Sequence, residues 1–466
     1  MGQQGFLLAY YGDDFTGSTD ALEFLSRAGI NTVLFLEPPG PEQLKRFNGL
    51  QAIGVAGMSR SMPPQEMEEV LTRDFTKLKD IGARHIHYKV CSTFDSSPAI
   101  GSIGKAIDVG ASVFQNKIIP LLVAAPALGR YCLFGNLFAR MGIGSTGQIY
   151  RLDRHPSMSK HPVTPADESD LPLHLARQTL KNIGLIDVLQ LEQPVDEVNA
   201  AVNNLLKADN EIILFDGLEE KHLTKVGELM DRNAAADQPL FSVGSSGIEM
   251  ALGSYWQQMQ VIKDKPEWPA ISATDCILVI SGSCSPVTAR QIETALDNGF
   301  EEVAIDTQAL IGAVHPGNLV NFYADEACEA IQSGKSVVIH TSTGNDDERV
   351  AAALAALAGK GLTGHQISKE TARLFGTALG QIAQKVLQQT TVKRLVIAGG
   401  DTSGYAARGL GIEAVEMIAT VVPGAPLCRA YSTNKVVDGL EVNIKGGQVG
   451  DENYFLTVLK GNDYKP

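Results

Sequence analysis

Short aliphatic and β-branched runs alternate with amphipathic stretches along nearly the whole chain, and few folds accept that alternation. Candidate strands lie at residues 6–11, 32–36, 52–56, 85–90, 121–125, 148–152, 187–191, 212–215 and 240–243. Several lack a clean apolar–polar alternation, as expected of parallel strands covered on both faces. After a helical stretch at 248–261 comes KDKPEWPAISATD, residues 263–275, whose two prolines, mixed charge and lack of period mark a linker. Strands recur at 276–280, 302–305, 336–340, 394–398, 415–421 and 440–444, with helices at 349–357 and 371–388. The expected fold class is α/β, with two doubly wound domains at residues 1–262 and 276–466. A chain of 466 residues is too long for one core, which agrees with two domains.

The net charge of −14 argues against nucleic acid or an anionic membrane as partner, because both demand basic surface. No stretch reaches the roughly 20 apolar residues needed to span a bilayer. The start, MGQQGFLLAYYGDDF, has no basic segment before its apolar run and does not read as a signal peptide. Six cysteines are scattered without a CxxC pair, so reduced thiols in a cytoplasm are expected.

The turns after the strands carry the chemistry, since ligands bind at the carboxyl ends of strands in such sheets. The first strand ends in Gly12, Asp13 and Asp14, ahead of Thr16-Gly17-Ser18-Thr19 and a helix stopped by Gly29. Two adjacent carboxylates are costly there unless they meet a cation, a hydroxyl to be deprotonated or the helix N-terminus. One of the pair capping the helix is an equally good reading, although Ser18, Thr19 and Asp20 also offer caps. The segment HIHYKVCSTFDSS places Lys89 at a strand end before Ser92, Thr93 and Asp95, a set able to hold a carboxylate or phosphate. Arg60 comes after the Gly57 turn and could clamp a carboxylate or simply lie in solvent. His85 and His87 share a strand face, with no third residue at metal-ligand spacing. Residues 151–165, with Arg154, His155, Lys160 and His161 among three prolines, read as a long loop.

In the second domain a strand ends at Ser281-Gly282-Ser283, and Ser285-Pro286 opens a helix, which exposes backbone amides to an anion. Gly399 and Gly400 would admit a phosphate close to the backbone, Thr402 and Ser403 can cap the next helix, and Asp401 could face a metal ion on the phosphates. Lys445-Gly446-Gly447 ends a third strand. Neither GxxxxGK[ST] nor G-x-G-x-x-G is present, and each turn alone is a weak signal. Cys284, at a helix start, reads as a packing thiol.

Taken together, these strings resemble the four-carbon acid sugar kinase family. The resemblance rests on DDFTG at 13–17, K-x-C-S-T-x-D-S at 89–96, H-P-V-x-P at 161–165, SGSCS at 281–285, GGDTSG at 399–404 and the KxGxxG turn at 445–450, spread over most of the chain in the family's order. It departs from the family at KGGQVG, where many members have K-S-G-N-x-G. The resemblance implies an N-terminal substrate-binding domain, a C-terminal nucleotide-binding domain, and phosphorylation of the terminal hydroxyl of threonate, erythronate or a 3-oxo-tetronate. ATP and Mg²⁺ are the implied cofactors. Asp13 or Asp14, Arg60, Lys89, Cys91, Ser92 and Thr93 would contact the acid sugar. Ser281, Gly282, Ser283, Gly399, Gly400, Asp401, Thr402 and Gly447 would contact ATP. The expected mechanism has Asp14, with Asp13 as alternative, orienting or deprotonating the hydroxyl while Arg60 and Lys89 hold carboxylate or phosphoryl oxygens. The expected partners are a small sugar acid and ATP, with a homodimer as candidate assembly. The rival reading is a cytoplasmic sugar-acid-binding sensor without turnover.

Overall fold

The computed structural model describes residues 5–141, 147–160, 163–235, 238–262 and 266–461. His161 and Pro162 of the H-P-V-x-P string and residues 263–265 of the expected linker lie outside the described residues. The chain divides between Pro266 and Glu267 into two compact units, with Leu34–Leu36 grouped with the second.

In the first unit a parallel sheet runs in the order Ala52–Ala56, Leu8–Gly12, His85–Lys89, Leu240–Gly244, Ile119–Leu122, Ile212–Phe215 and Ile183–Ile186. Leu8–Gly12 is buried along its whole length, which is why its sequence shows no alternation. Register brings Gly12 level with Ala56 and Lys89, and Lys89 level with Gly244, so four carboxyl ends form one edge. Helix Phe15–Arg27 packs Phe15, Ala21, Leu22 and Leu25 inward. On the sheet, Tyr11, Phe75 and Tyr88 meet with ring centroids 5.9–6.2 Å apart, and Phe75 also lies 5.4 Å from Phe241.

One expected strand of this unit is absent and another forms in a different sheet. Residues 187–191 read as a strand in the sequence, but Val188–Leu191 is a helical turn and the strand is Ile183–Ile186. The reason is a capping box: Asp187 accepts from Gln190 N, while the Gln190 side chain accepts from Asp187 N. Residues 148–152 do form a strand, Ile149–Arg151, but in a separate antiparallel sheet with Arg130–Leu133 and Asn136–Arg140. The long loop then contains helical turns at Leu152–Arg154 and Met158–Lys160.

In the second unit the parallel order is Glu301–Ala304, Val337–His340, Leu278–Ser281, Arg394–Ala398 and Glu441–Lys445. Ala425–Tyr431 and Ala414–Val422 extend it antiparallel. Val279, Ile292, Val338, Val396, Val421 and Tyr454 are among the residues of its core. Ser281, Ala398 and Lys445 stand level at its carboxyl edge. No helix among the described residues is long and apolar enough to cross a membrane.

Candidate functional site

At the carboxyl edge of the first sheet, backbone pairing fixes the acidic turn before any side chain acts. Asp13 N donates to Lys89 O at 2.9 Å, and Arg60 N donates to Asp13 O at 3.0 Å. The turn that carries Arg60 is tied down by Ser59, whose hydroxyl lies 2.9 Å from that of Tyr88. From there Arg60 spans both carboxylates. Nε and Nη2 reach Asp13 Oδ2 and Oδ1 at 3.1 and 2.8 Å, and Nη1 reaches Asp14 Oδ2 at 2.7 Å.

The two aspartates, adjacent in sequence, have different duties. Asp14 is the N-cap of helix Phe15–Arg27, accepting from Gly17 N at 2.8 Å and from Thr16 Oγ1 at 2.9 Å. Burial alone would lift its proton affinity, but the charges of Arg60 and Lys89 and these hydrogen bonds bring it below the ordinary carboxylate range. Among the described residues Asp13 accepts side-chain hydrogen bonds from Arg60 alone. Burial lifts it above the ordinary range, and the nearby charge of Asp14 adds to that against the pull of Arg60 and Lys89. Asp13 is 2% exposed and Asp14 5%.

Lys89, itself 2% exposed, extends beneath the helix start. Its Nζ lies 3.6 Å from Asp20 Oδ2, and burial, which would discharge it, is overcome by Asp20 and Asp14. Gly17 makes this approach feasible: a Cβ there would lie 2.7 Å from Lys89 Nζ and 2.5 Å from Asp14 Oδ1. Asp20 also accepts from Ser246 Oγ, while its Oδ1 is enclosed without a hydrogen-bond partner among the described residues. Cys91 Sγ lies 2.9 Å from Thr93 Oγ1, which donates to Asp95 at 2.9 Å; burial raises the thiol's pKa. Ser92 lies in the same buried turn, which bends through Phe94 at φ 57°, a left-handed conformation rare for aromatic residues and frequent at functional sites.

The structure therefore gathers Asp13, Asp14, Arg60 and Lys89 into one cluster, with Cys91, Ser92 and Thr93 in the turn beside it. In the sequence Asp20 reads only as a cap, and Ser246 carries no assigned role. The signal was there in part, since Asp20 stands six residues after Asp14 on the same helix and Gly244-Ser245-Ser246 ends a strand. His85 and His87 are elsewhere engaged: His85 Nε2 lies 3.1 Å from Asp231, and His87 Nδ1 lies 2.6 Å from Glu249.

The second unit brings its three glycine turns together. A Cβ on Gly282 would lie 2.7 Å from the Thr402 side chain, one on Gly399 would strike Thr402 Oγ1, and one on Gly447 would lie 2.7 Å from Ser283 Oγ. Gly399 has φ 150°, outside the range of ordinary side chains. Ser281 Oγ accepts from Ser283 N, Ser283 Oγ from Ser285 N, and Ser403 Oγ donates to Gly399 O. Helices Pro286–Asp297 and Asp401–Leu410 start here, so amides and positive helix ends converge on a cradle shaped for phosphate. Asp401 is exposed in the first turn of the second helix, after Gly400. Lys445 is fully buried behind the turn, where its Nζ donates to Thr288 Oγ1 at 3.1 Å and Thr288 donates to Gly447 O at 2.9 Å. Burial pulls its pKa down to about 7. Among the described residues no cluster of three or more His, Cys, Asp or Glu is arranged to hold a metal ion.

Comparison with known proteins matches most of the chain to two known domain types. Residues 8–252 match the family model described as a sugar-binding N-terminal domain, and residues 278–455 that described as a nucleotide-binding C-terminal domain. Over 458 residues the chain is 42% identical to the 3-oxo-isoapionate kinase of Paraburkholderia graminis, covering 98% of this chain and 95% of that one. It is 26% identical to the 3-oxo-tetronate kinase of Salmonella typhimurium, covering 96% and 97%. The corresponding enzyme of Methylobacterium radiotolerans is 29% identical, covering 96% and 97%. Of solved structures, a Salmonella typhimurium LT2 chain provisionally described as a tRNA synthase matches with a TM-score of 0.74 at 25% identity, over 96% of this chain and 98% of its own. A Haemophilus influenzae protein matches with a TM-score of 0.68 at 22% identity, over 97% and 98%, and so shares the fold.

Proposed function

The chain belongs to the four-carbon acid sugar kinase family and is an ATP-dependent sugar-acid kinase, and on that premise we propose that its acceptor is a 3-oxo acid of the 3-oxo-isoapionate type. The observation that carries this choice is the step in identity from 42% against the 3-oxo-isoapionate kinase to 26% and 29% against two 3-oxo-tetronate kinases.

Phosphoryl transfer depends on positioning and charge neutralisation more than on covalent chemistry. In our reading Asp13 takes the proton of the acceptor hydroxyl while that oxygen bonds to the γ-phosphorus and the bond to the ADP oxygen breaks. Asp13 is preferred to Asp14 because its proton affinity is the higher and because Asp14 is occupied as helix cap. Arg60 opposes the rise in Asp13's proton affinity and fixes its plane. Lys89, Cys91, Ser92 and Thr93 line the acceptor. Ser281, Gly282, Ser283, Gly399, Gly400, Thr402 and Gly447 hold the phosphates of ATP through amides and hydroxyls.

Mg²⁺ fits this arrangement through Asp401, a carboxylate at the mouth of the cradle, since this ion commonly takes one or two carboxylates plus substrate phosphates. When bound, it supplies charge neutralisation on the β- and γ-phosphates. We place the enzyme in the cytoplasm, where ATP is available and where six free cysteines stay reduced. A sensor without turnover would leave the glycine cradle of the second unit with no task.

The test is ADP release from purified protein with ATP, Mg²⁺ and, in turn, 3-oxo-isoapionate, 3-oxo-tetronate, threonate and erythronate. Turnover highest with the first is expected. Preference for 3-oxo-tetronate overturns the acceptor, and no turnover with any acid overturns the whole reading.

A further inference from the structure

We propose that Arg130 is the seat of the acceptor's carboxylate, a role for which Arg60 and Lys89 are already occupied. The inference rests on the sugar-acid reading above. Arg130 opens the strand Arg130–Leu133, just past the turn after Ile119–Leu122, and is 7% exposed. One end of its guanidinium is fully used. Nη1 donates to Leu128 O at 3.0 Å, Gly129 O at 3.3 Å and Arg140 O at 3.2 Å, so three backbone carbonyls fix the plane of the fork.

The other edge, Nε and Nη2, has no hydrogen-bond partner among the described residues, and Nε is completely enclosed. This is the edge with which arginine grips a two-oxygen anion. The chain uses it that way elsewhere: Arg60 on Asp13, Arg73 on Asp74, Arg151 on Asp153 and Arg373 on Glu370 each pair through Nε and Nη2. Those arginines have their carboxylate within the chain. Arg130 has none within ion-pair distance among the described residues, although a buried cation without a counterion is costly. A ligand anion removes that cost.

Arg130 stands at the sheet edge that carries the acceptor site: it pairs with Ala125 just past the strand Ile119–Leu122, whose Leu122 is level with Gly244, which is in turn level with Lys89. Burial lowers its proton affinity, and the charges of Asp95 and Asp20 are among those that oppose the effect. Arg60 is closed by Asp13 and Asp14, and Lys89 by Asp20 and Asp14. A sugar acid brings a planar carboxylate to this setting, and the unpaired edge of Arg130 matches it.

The test compares wild type with Arg130→Lys and Arg130→Gln on the 3-oxo acid and on its primary amide, which keeps the shape and loses the charge. Both variants should raise KM for the acid about 30-fold or more, because a buried bidentate charge contact is lost. KM for ATP should stay at its wild-type value, and KM for the amide, whose oxygen can accept only one of the two hydrogen bonds, should rise much less than KM for the acid, so the preference for acid over amide collapses. Arg130→Lys is decisive for folding as well, since its ammonium can still donate to the turn carbonyls, and thermal unfolding checks that it does. An unchanged KM for the acid in Arg130→Lys overturns the proposal. A fall in kcat with KM unchanged also overturns it and assigns Arg130 to the transferred phosphoryl group. A wild-type enzyme inert on every acid fails earlier, and takes the sugar-acid reading with it.

Discussion

Arg60 lays Nε and Nη2 along both oxygens of Asp13, at 3.1 and 2.8 Å, and so holds a buried carboxyl group in one plane while opposing the rise that burial gives its proton affinity. The neighbouring Asp14 receives only Nη1 and gives its other oxygen to the helix start. This division makes the pair separable by mutation. Asp13→Asn should lower kcat by about 10²–10⁴-fold while leaving KM for ATP unchanged, the loss expected when a positioned base is removed. Asp14→Asn keeps a good cap and should retain most of the turnover, whereas Asp14→Ala should also cost about 1 kcal/mol of stability. Steady-state kinetics together with urea unfolding of the three variants checks both halves. Full activity in Asp13→Asn would transfer the base to Asp14.

The pH profile derives from the same contact. Asp13 acts as base only when ionised, so kcat/KM should rise as pH climbs through its pKa, which burial places above the ordinary carboxylate range. Arg60 opposes that elevation. Arg60→Gln removes the opposing charge, so the acidic limb should move to higher pH. Profiles of the two enzymes on one acid acceptor decide the matter, and a limb that stays in place removes Asp13 from the proton transfer.

Lys445 gives a stability prediction with the opposite sense. Its folded-state pKa is about 7, against 10.5 for an ordinary lysine. Below the folded value the lysine is charged in both states, and its burial penalty is fully present. Between the two values the unfolded chain holds a proton that the folded chain has released, so this group makes stability rise with pH. The contribution is at most about 1.4 kcal/mol per pH unit. Lys445→Met should flatten the dependence, and urea unfolding of both proteins at several pH values above neutrality measures the difference. Parallel curves would mean that the lysine stays charged.

Much of this was legible in the sequence because the determinants are local. Ala52–Ala56, Ile212–Phe215 and Arg394–Ala398 fall where aliphatic runs placed them, and the polar strings after the strands do converge on two edges. Residues 187–191 misled because DVLQL has the composition of a strand, while Asp187 and Gln190 close a capping box around it. The strand beside it contains Gly184, which weakens the pattern. The role of Arg130 was out of reach for a different reason. Its meaning depends on three carbonyls that fix one end of its fork, including that of Arg140 from the opposite strand of a hairpin, and on the lack of any carboxylate at the other end. The distinct duties of Asp13 and Asp14 likewise depend on where Arg60 reaches, 47 and 46 residues away.

The glycine cradle makes a ranked prediction. At Gly447 a new Cβ would meet Ser283 Oγ at 2.7 Å, and a serine hydroxyl can rotate away at the cost of the bond it accepts from Ser285 N. At Gly282 the new Cβ would meet Thr402 Cβ, Cγ2 and Oγ1 all at 2.7 Å, and Thr402 stands in the first turn of a helix that cannot shift alone. Overpacking of that kind costs about 1–3 kcal/mol. Expressed in the bound nucleotide, the upper part of that range is a loss of about tenfold or more in affinity. Gly282→Ala should therefore raise KM for ATP more than Gly447→Ala does, with KM for the acid unchanged in both. Nucleotide titration by calorimetry on each variant separates binding from turnover. If both alanines bind ATP as the wild type does, the phosphates lie elsewhere and the three turns serve packing alone.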